Sequence, residues 1–361
     1  KNGMMRLILA GGGTGGHLFP GLAVAREFQK RDGRTKILFV GSEKGIEARV
    51  LPREGFPLEV LPVRGIKGRG LKGLLGALYG VPVGFFRSLG IIRRFRPQYV
   101  IGLGGYASGP LLLAAIMKRI RCAIMEQNVH PGLTNWILGW MVQRVFTSYG
   151  ESRPFFSGSK VVETGNPIRW QVLPQVERDD KLNLFVFGGS AGAHRINMCI
   201  VGALERLKDL AADLSVAHQT GEADLASVQA AYASLPFESK VLPFIENIDE
   251  AYARADLIVC RAGASTLAEI TAFGKAAVLI PYPYAANNHQ RWNAQSLSER
   301  GAAEMLLEED ATGEKMAALI RTLFKDRKRL EGLGKEAARL GRPDAAKRIV
   351  DECYKIVGRG S

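Results

Sequence analysis

The chain is predicted to be an α/β protein built from two similar parallel-sheet domains, and three observations lead there. Short apolar runs alternate with amphipathic stretches along its 361 residues. A glycine-rich turn, Gly11-Gly12-Gly13-Thr14-Gly15-Gly16-His17, follows the first apolar run, and a second, Gly188-Gly189-Ser190-Ala191-Gly192-Ala193, recurs in the same setting about half a chain later. The length also exceeds what a single hydrophobic core usually serves.

The elements follow in order. Residues 6–10 (RLILA) are apolar and stop at glycine, which predicts a buried strand. Apolar residues at helical spacing over 18–31 end on Lys30 and Arg31, where cations favour a helix C-terminus. Strand 36–40, helix 43–53 and strand 58–61 continue the alternation, and a basic, glycine-rich stretch leads to an apolar-basic helix near 84–95. Strand 99–103, turn 104–109, helix 110–118 and strands 121–125 and 143–147 complete a parallel sheet. Thr164-Gly165-Asn166-Pro167, then Pro174 and the charged run 177–181, mark a boundary. The second cycle runs strand 182–187, helix 195–207, strand 214–218, helix 222–233, strand 239–242, helix 248–254, strand 256–259, helix 265–273, strand 276–280, helix 288–299 and strand 302–306. Residues 313–357 read as helical, interrupted at Gly341-Arg342-Pro343. The predicted domains are 1–168, 169–340 and a C-terminal helix, 341–361, expected to pack back on the N-terminal domain.

Composition narrows the function classes. Hydrophobic residues at 47% and charged residues at 23% describe an ordinary globule. Cys122, Cys199, Cys260 and Cys353 stand far apart with no CxxC pair, which predicts a reduced, cytoplasmic setting and no structural zinc. The uncharged stretches 73–86 and 98–117 are broken by glycine and proline and do not predict a membrane span, and the run 6–10 is too short for a secretory leader. The net charge of +14 is lopsided: residues 1–168 hold 24 Lys and Arg against 9 Asp and Glu, residues 169–361 hold 25 against 26. No acidic side chain occurs between residues 60 and 125, where Arg64, Lys67, Arg69, Lys72, Arg87, Arg93, Arg94 and Arg96 are interleaved with Leu74, Leu75, Phe85 and Phe86. That mixture predicts peripheral docking on an anionic phospholipid surface. A nucleic-acid binder is the rival reading of the charge, but no nucleic-acid reading module is present.

The glycine turns predict phosphate sites, because glycine lets backbone amides approach an anion and the following helix N-terminus favours negative charge. His17 follows the first turn, where a neutral imidazole can take a proton near neutral pH; capping the turn is its alternative. Glu126 ends a strand, as cleft residues do, and is the second candidate base unless it satisfies loop amides. Dinucleotide-dependent oxidoreduction also uses such turns, but the second strand is followed by Gly41-Ser42-Glu43-Lys44, without a convincing ribose-binding acid.

GGGTGGHLFPGLAVA (11–25), GLGGYASGP (102–110), EQNVHPGLTN (126–135), GNPIR (165–169), FGGSAGAHRIN (187–197), CRAGASTLAEI (260–270) and NNHQRWNA (287–294) together resemble the lipid-acceptor N-acetylglucosaminyltransferases of glycosyltransferase family 28. These bacterial enzymes add N-acetylglucosamine to undecaprenyl-pyrophosphoryl-N-acetylmuramyl-pentapeptide (lipid I) to make lipid II. The resemblance implies a GT-B fold, two Rossmann-like domains facing across a cleft. It implies UDP-N-acetylglucosamine as substrate, with no cofactor or metal required. The implied acceptor side is Gly13, Gly16, Gly104, Gly105, Tyr106, Ser108 and Asn128, with His17 or Glu126 as base. On the donor side it implies Thr14, Gly15, Arg169, Ser190, Gly192 and Asn197, Ile245 reading uracil through its backbone, Ala264, Ser265 and Thr266 at a helix start, Glu269 on the ribose, and His289 and Gln290 on the sugar. Arg169 could instead form an inter-domain salt bridge, and Glu269 could cap its own helix. Ala191 and His289 stand where the family has glutamine. Lipid I, anionic phospholipid and cell-wall synthesis proteins are the implied partners, at the cytoplasmic face of the inner membrane.

Overall fold

The computed structural model describes residues 4–43, 45–63, 70–169, 172 and 181–358, with side chains at 70–79 excepted. The predicted lipid contacts at Arg64, Lys67, Arg69, Lys72, Leu74 and Leu75 lie outside what is described. In chain order the elements are β1 (Arg6–Gly11), α1 (Gly15–Arg31), β2 (Lys36–Ser42), α2 (Glu47–Arg53), β3 (Leu58–Leu61), α3 (Gly70–Phe95), β4 (Tyr99–Gly104), α4 (Ser108–Met117), β5 (Arg121–Glu126), α5 (Leu133–Gly139), β6 (Arg144–Thr147) and β7 (Val161–Glu163). The second series is β8 (Leu182–Phe187), α6 (His194–Leu204), β9 (Leu214–Gln219), α7 (Leu225–Ala233), β10 (Glu238–Leu242), α8 (Ile248–Arg254), β11 (Leu257–Cys260), α9 (Ala264–Phe273), β12 (Ala276–Leu279), α10 (His289–Ser298), β13 (Glu304–Met305), α11 (Gly313–Lys325), α12 (Arg327–Leu340) and α13 (Ala345–Val357).

Residues 1–169 and 343–361 form one compact unit, and residues 170–342 the other. Unit 1 holds a parallel sheet of order β3-β2-β1-β4-β5-β6-β7. Its strands are apolar on both faces because both are covered. Leu7, Leu9 and Ile101 pack with Leu22 and Phe28 of α1 and with Ile349, Val350 and Cys353 of α13. Ile8, Val100 and Ile124 pack on the opposite side with Ile91 and Ile92 of α3 and Leu111 and Leu112 of α4.

Unit 2 repeats the plan with the order β10-β9-β8-β11-β12-β13. One face carries Leu184, Val186, Ile200, Leu204 and Ile320. The other is filled by aromatic rings, Phe185 stacked on Phe187 and both edge-on to Tyr252, which stacks on Phe273. In each sheet the strand order reverses beside the first strand of the unit, between β1 and β4 and between β8 and β11. The loops leaving such a point diverge to opposite faces and open a crevice at the strands' carboxyl ends. Both glycine turns lie there.

Five features differ from the sequence reading. α3 begins at Gly70, well before residue 84; the glycines and Pro82 that suggested a break lie inside it. α5 and the three-residue β7 are additional. β13 is two residues long, not five. Residues 313–357 form three helices, with Asp326 capping α12 by accepting the Arg329 N–H at 3.0 Å.

Candidate functional site

In unit 1 the crevice is built from backbone packed on backbone. A Cβ on Gly11 would lie 2.3 Å from the Gly104 carbonyl oxygen, so only glycine lets the loops after β1 and β4 meet. Ser108 fastens them: its hydroxyl donates to the Ala10 carbonyl at 2.6 Å and accepts the Gly104 N–H at 3.1 Å. Ser108, a predicted acceptor contact, is buried, with its hydroxyl engaged in this seam. Thr14 precedes α1 without giving it a side-chain cap, and the first turn, Gly15-Gly16-His17, carries no acidic residue. That helix end therefore keeps its positive potential. Gly105 and exposed Tyr106 line the facing loop.

A residue invisible to motif reading, Glu47, shapes the first turn. It is fully buried and accepts from the N–H of Gly13 at 2.8 Å, the N–H of Ser42 at 2.8 Å and the Ser42 hydroxyl at 3.0 Å. The Gly13 amide is thus engaged by an internal carboxylate.

His17 is oriented by a second missed residue. Its Nδ1 lies 3.2 Å from Gln127 Oε1, while Gln127 Nε2 donates to the Leu103 carbonyl at 2.9 Å. The Leu103 bond fixes which end of the amide is oxygen, so Nδ1 carries the proton and the basic lone pair belongs to Nε2. Glu126 has the opposite fate. Its two oxygens accept from the N–H and Nδ2 of Asn128 (3.0 and 3.2 Å), the N–H of Gly132 (3.2 Å) and Nδ2 of Asn135 (2.8 Å). It is 2% exposed, and burial raises its pKa against those hydrogen bonds. Glu126 holds its loop together in this structure and engages the Asn128 amide as well. Arg169 lies with its guanidinium 4.2 Å over the Phe19 ring, beside the first turn of α1.

In unit 2 the second turn is clamped by the end of β9: a Cβ on Gly192 would meet the Thr220 carbonyl oxygen at 1.9 Å. Ser190 and Ala191 are exposed at its tip, and α6 starts without a side-chain cap or an acidic first turn. Asn197 is buried one turn into α6, donating to the Thr220 carbonyl at 2.9 Å and to Asp224 at 2.7 Å. Asn197, a predicted donor contact, thus ties the start of α6 to the loop after β9. Its Oδ1 accepts from His218 Nε2 at 3.1 Å, so Nδ1 of that buried ring accepts the Tyr232 hydroxyl at 2.9 Å.

Burial lowers the His218 pKa to about 4 from 6.5, offset in part by Asp224. The unfolded chain therefore binds a proton that the folded chain refuses between these pH values, and stability is lost as pH falls through that window. The loss is on the order of 3 kcal/mol. Urea unfolding of the wild type and of His218→Gln at pH 7 and pH 4.5 measures it. The difference between the two proteins should shrink on acidification; a pH-independent difference would refute the assignment.

Past β11, Gly263 leads into α9, whose Ala264, Ser265 and Thr266 form an uncapped first turn without an acidic residue. Glu269 lies in the second turn, so it does not cap this helix. It is 9% exposed and accepts the Tyr252 hydroxyl at 2.9 Å. Ile245 donates its N–H to Gln219 Oε1 at 2.8 Å. Asn287 and Asn288 both adopt positive φ before α10. His289 Nδ1 donates to the Ala286 carbonyl at 2.8 Å, and Gln290 Oε1 accepts the Tyr282 N–H at 3.0 Å. A groove of 710 Å³ runs along β8–β10 from Ile245 to Glu238, apart from the second turn and Glu269. No group of three or more His, Cys, Asp and Glu suited to a metal occurs among the described residues.

Unit 1 also carries exposed apolar groups, those of α5 and Trp140 not anticipated from the sequence and Phe86 within the stretch predicted to meet a lipid surface. Leu133, Trp136 and Ile137 of α5 and the following Trp140 are exposed, Trp140 by 63%, and Phe86 of α3 is 70% exposed. Phe85 is half-buried. No helix among the described residues is long and apolar enough to cross a membrane.

Comparison with known proteins aligns with this geometry. Residues 7–147 match the glycosyltransferase family 28 N-terminal domain and residues 183–349 its C-terminal domain. A Myxococcus xanthus protein named UDP-N-acetylglucosamine–N-acetylmuramyl-(pentapeptide) pyrophosphoryl-undecaprenol N-acetylglucosamine transferase is 48% identical, covering 98% of this chain and 94% of its own. A Geobacter sulfurreducens protein of the same name is 51% identical, covering 96% and 98%. The crystal structure of Acinetobacter baumannii MurG superposes with a TM-score of 0.80 at 32% identity, covering 97% and 99%. The calicheamicin glycosyltransferase CalG4, at 14% identity and a TM-score of 0.71 over 99% of both chains, shares the fold.

Proposed function

This chain belongs to glycosyltransferase family 28, and from that premise we propose that it transfers N-acetylglucosamine from UDP-N-acetylglucosamine to the muramyl 4-hydroxyl of lipid I, releasing UDP and lipid II. One observation carries the chemistry: both glycine turns feed a helix whose first turn has neither a side-chain cap nor an acidic residue, so each unit offers a diphosphate its own seat.

The acceptor's pyrophosphate takes Gly16 and the loop at Gly104–Tyr106, while Thr14 and Gly15 are left to the donor. The donor's takes the turn at Ser190–Gly192, with its ribose on Glu269, its uracil at Ile245 and its sugar at His289 and Gln290. The muramyl oxygen attacks the anomeric carbon opposite the departing UDP and gives its proton to Nε2 of His17. The bond to UDP breaks with its electron pair, and the growing charge on the leaving oxygen meets Arg169 and the loop amides. The anomeric centre inverts, so an α-linked donor yields a β-linked product. UDP-N-acetylglucosamine enters as substrate, and these steps call on no cofactor.

A lipid-linked acceptor implies work at a bilayer surface, here the cytoplasmic face of the inner membrane beside other cell-wall synthesis proteins. Trp136 of α5, the following Trp140, Phe86 and the basic residues Arg87 and Arg93 suit an interfacial contact with anionic phospholipid.

A mass-detected assay with UDP-N-acetylglucosamine and a lipid I analogue tests the reaction. A β1→4 disaccharide product and UDP are expected; no disaccharide with a competent acceptor would reject it. Flotation with anionic and neutral vesicles across a salt series tests the surface. Equal, salt-insensitive binding to both would remove the electrostatic contribution.

A further inference from the structure

Gln219 ends β9 at 2% exposure, and both ends of its amide are engaged. Nε2 donates to the Gly189 carbonyl at 3.0 Å, and Oε1 accepts the Ile245 N–H at 2.8 Å. The Gly189 carbonyl also accepts the Gly192 N–H at 3.0 Å, so this bond reaches the hairpin of the second glycine turn itself. Ile245 lies three residues beyond β10, at the mouth of the neighbouring loop. A carboxamide is the neutral side chain that presents a donor and an acceptor together, and here it joins a carbonyl of one loop to an amide of another.

We propose that Gln219 is a positioning residue that fixes the base-reading loop at Ile245 against the diphosphate-binding turn at Gly189, setting nucleotide specificity without touching the nucleotide. The inference rests on the donor-site reading given above. With its N–H held by Gln219, Ile245 presents its own carbonyl at a fixed distance from the turn. Uracil N3–H can donate to that carbonyl; cytosine N3 bears no hydrogen and cannot. The same tether makes the base and the diphosphate bind as one rigid unit, so contributions that would otherwise be separate reinforce each other.

Two substitutions separate the two ends of the amide. Gln219→Leu removes both bonds. Gln219→Glu keeps an acceptor for the Ile245 N–H but turns a carboxylate oxygen toward the Gly189 carbonyl, breaking only the tie to the turn. Calorimetry of the full chain with UDP, CDP and uridine, alongside thermal melts, reads the outcome. The wild type is expected to prefer UDP to CDP and UDP to uridine. In Gln219→Leu, UDP affinity falls about tenfold and both preferences shrink. Gln219→Glu keeps the preference for UDP over CDP while the advantage of UDP over uridine shrinks. A merely structural glutamine would lower the melting temperature and leave both ratios alone; unchanged ratios in Gln219→Leu, or in Gln219→Glu should the first not fold, overturn the proposal. Wild-type protein that binds no UDP would instead sink the donor-site reading.

Discussion

His17→Ala is expected to bind UDP as tightly as the wild type and to turn over about 10²–10⁴ times more slowly, the usual contribution of a positioned general base. His17 belongs to the first turn of α1 and faces the loop after β4, where a Cβ on Gly104 would lie 2.8 Å from its ring. Its tautomer is set through Gln127 by the Leu103 carbonyl, so the basic nitrogen is chosen by the backbone at the end of β4. Turnover at saturating substrates and UDP calorimetry distinguish the roles. A base leaves binding intact and takes the acid limb of the kcat profile with it; a packing residue changes stability or both ligands' affinities. Turnover near wild type would end the base assignment.

Glu269→Ala is expected to lose tenfold or more in UDP affinity, since a hydrogen bond to a charged group contributes about 1.5–3 kcal/mol and the ribose offers two hydroxyls. Its carboxylate also accepts from Tyr252, which is fully buried, so the alanine leaves a hydroxyl behind as well as a gap. Tyr252→Phe separates the two losses: it removes the internal bond and keeps the carboxylate. Calorimetry should show donor affinity falling in Glu269→Ala and holding in Tyr252→Phe. Equal losses in both would assign Glu269 to the aromatic core.

These contrasts mark where a sequence speaks and where it is silent. Strands such as β1 and β4 were legible because a strand covered on both faces is a short apolar run with no competing pattern. α3 was half-hidden because its glycines and Pro82 look like breaks until neighbouring elements hold them helical. α5 follows Pro131-Gly132 and shows solvent its apolar side chains, so no buried stripe announced it. The glycine turns and His17 were legible as a motif. The direction of a polar side chain was not: Ser108, Glu126 and Asn197 lie in recognisable motifs yet point inward, each satisfying backbone or side-chain groups of the loops around it. Gln127 and Gln219 find their partners in distant parts of the chain, and Glu47 joins distant Gly13 to nearby Ser42, so none of the three roles shows in the local sequence.

The return of residues 343–361 to unit 1 bears on how the molecule is made. Ile349, Val350 and Cys353 are fully buried in a core whose other members are mostly synthesised first, and Tyr354 lies against Phe28 with ring centroids 5.7 Å apart. A ribosome emits chains from the N-terminus and domains fold as units. Unit 2 is contiguous and can close as it emerges, whereas unit 1 waits for α13, which is translated after the whole of unit 2. Of the two units, the one begun earlier is completed later. A chain terminated after Arg342 would contain every catalytic and ligand-facing residue named here, yet α1, which carries His17, would lack the helix that covers it.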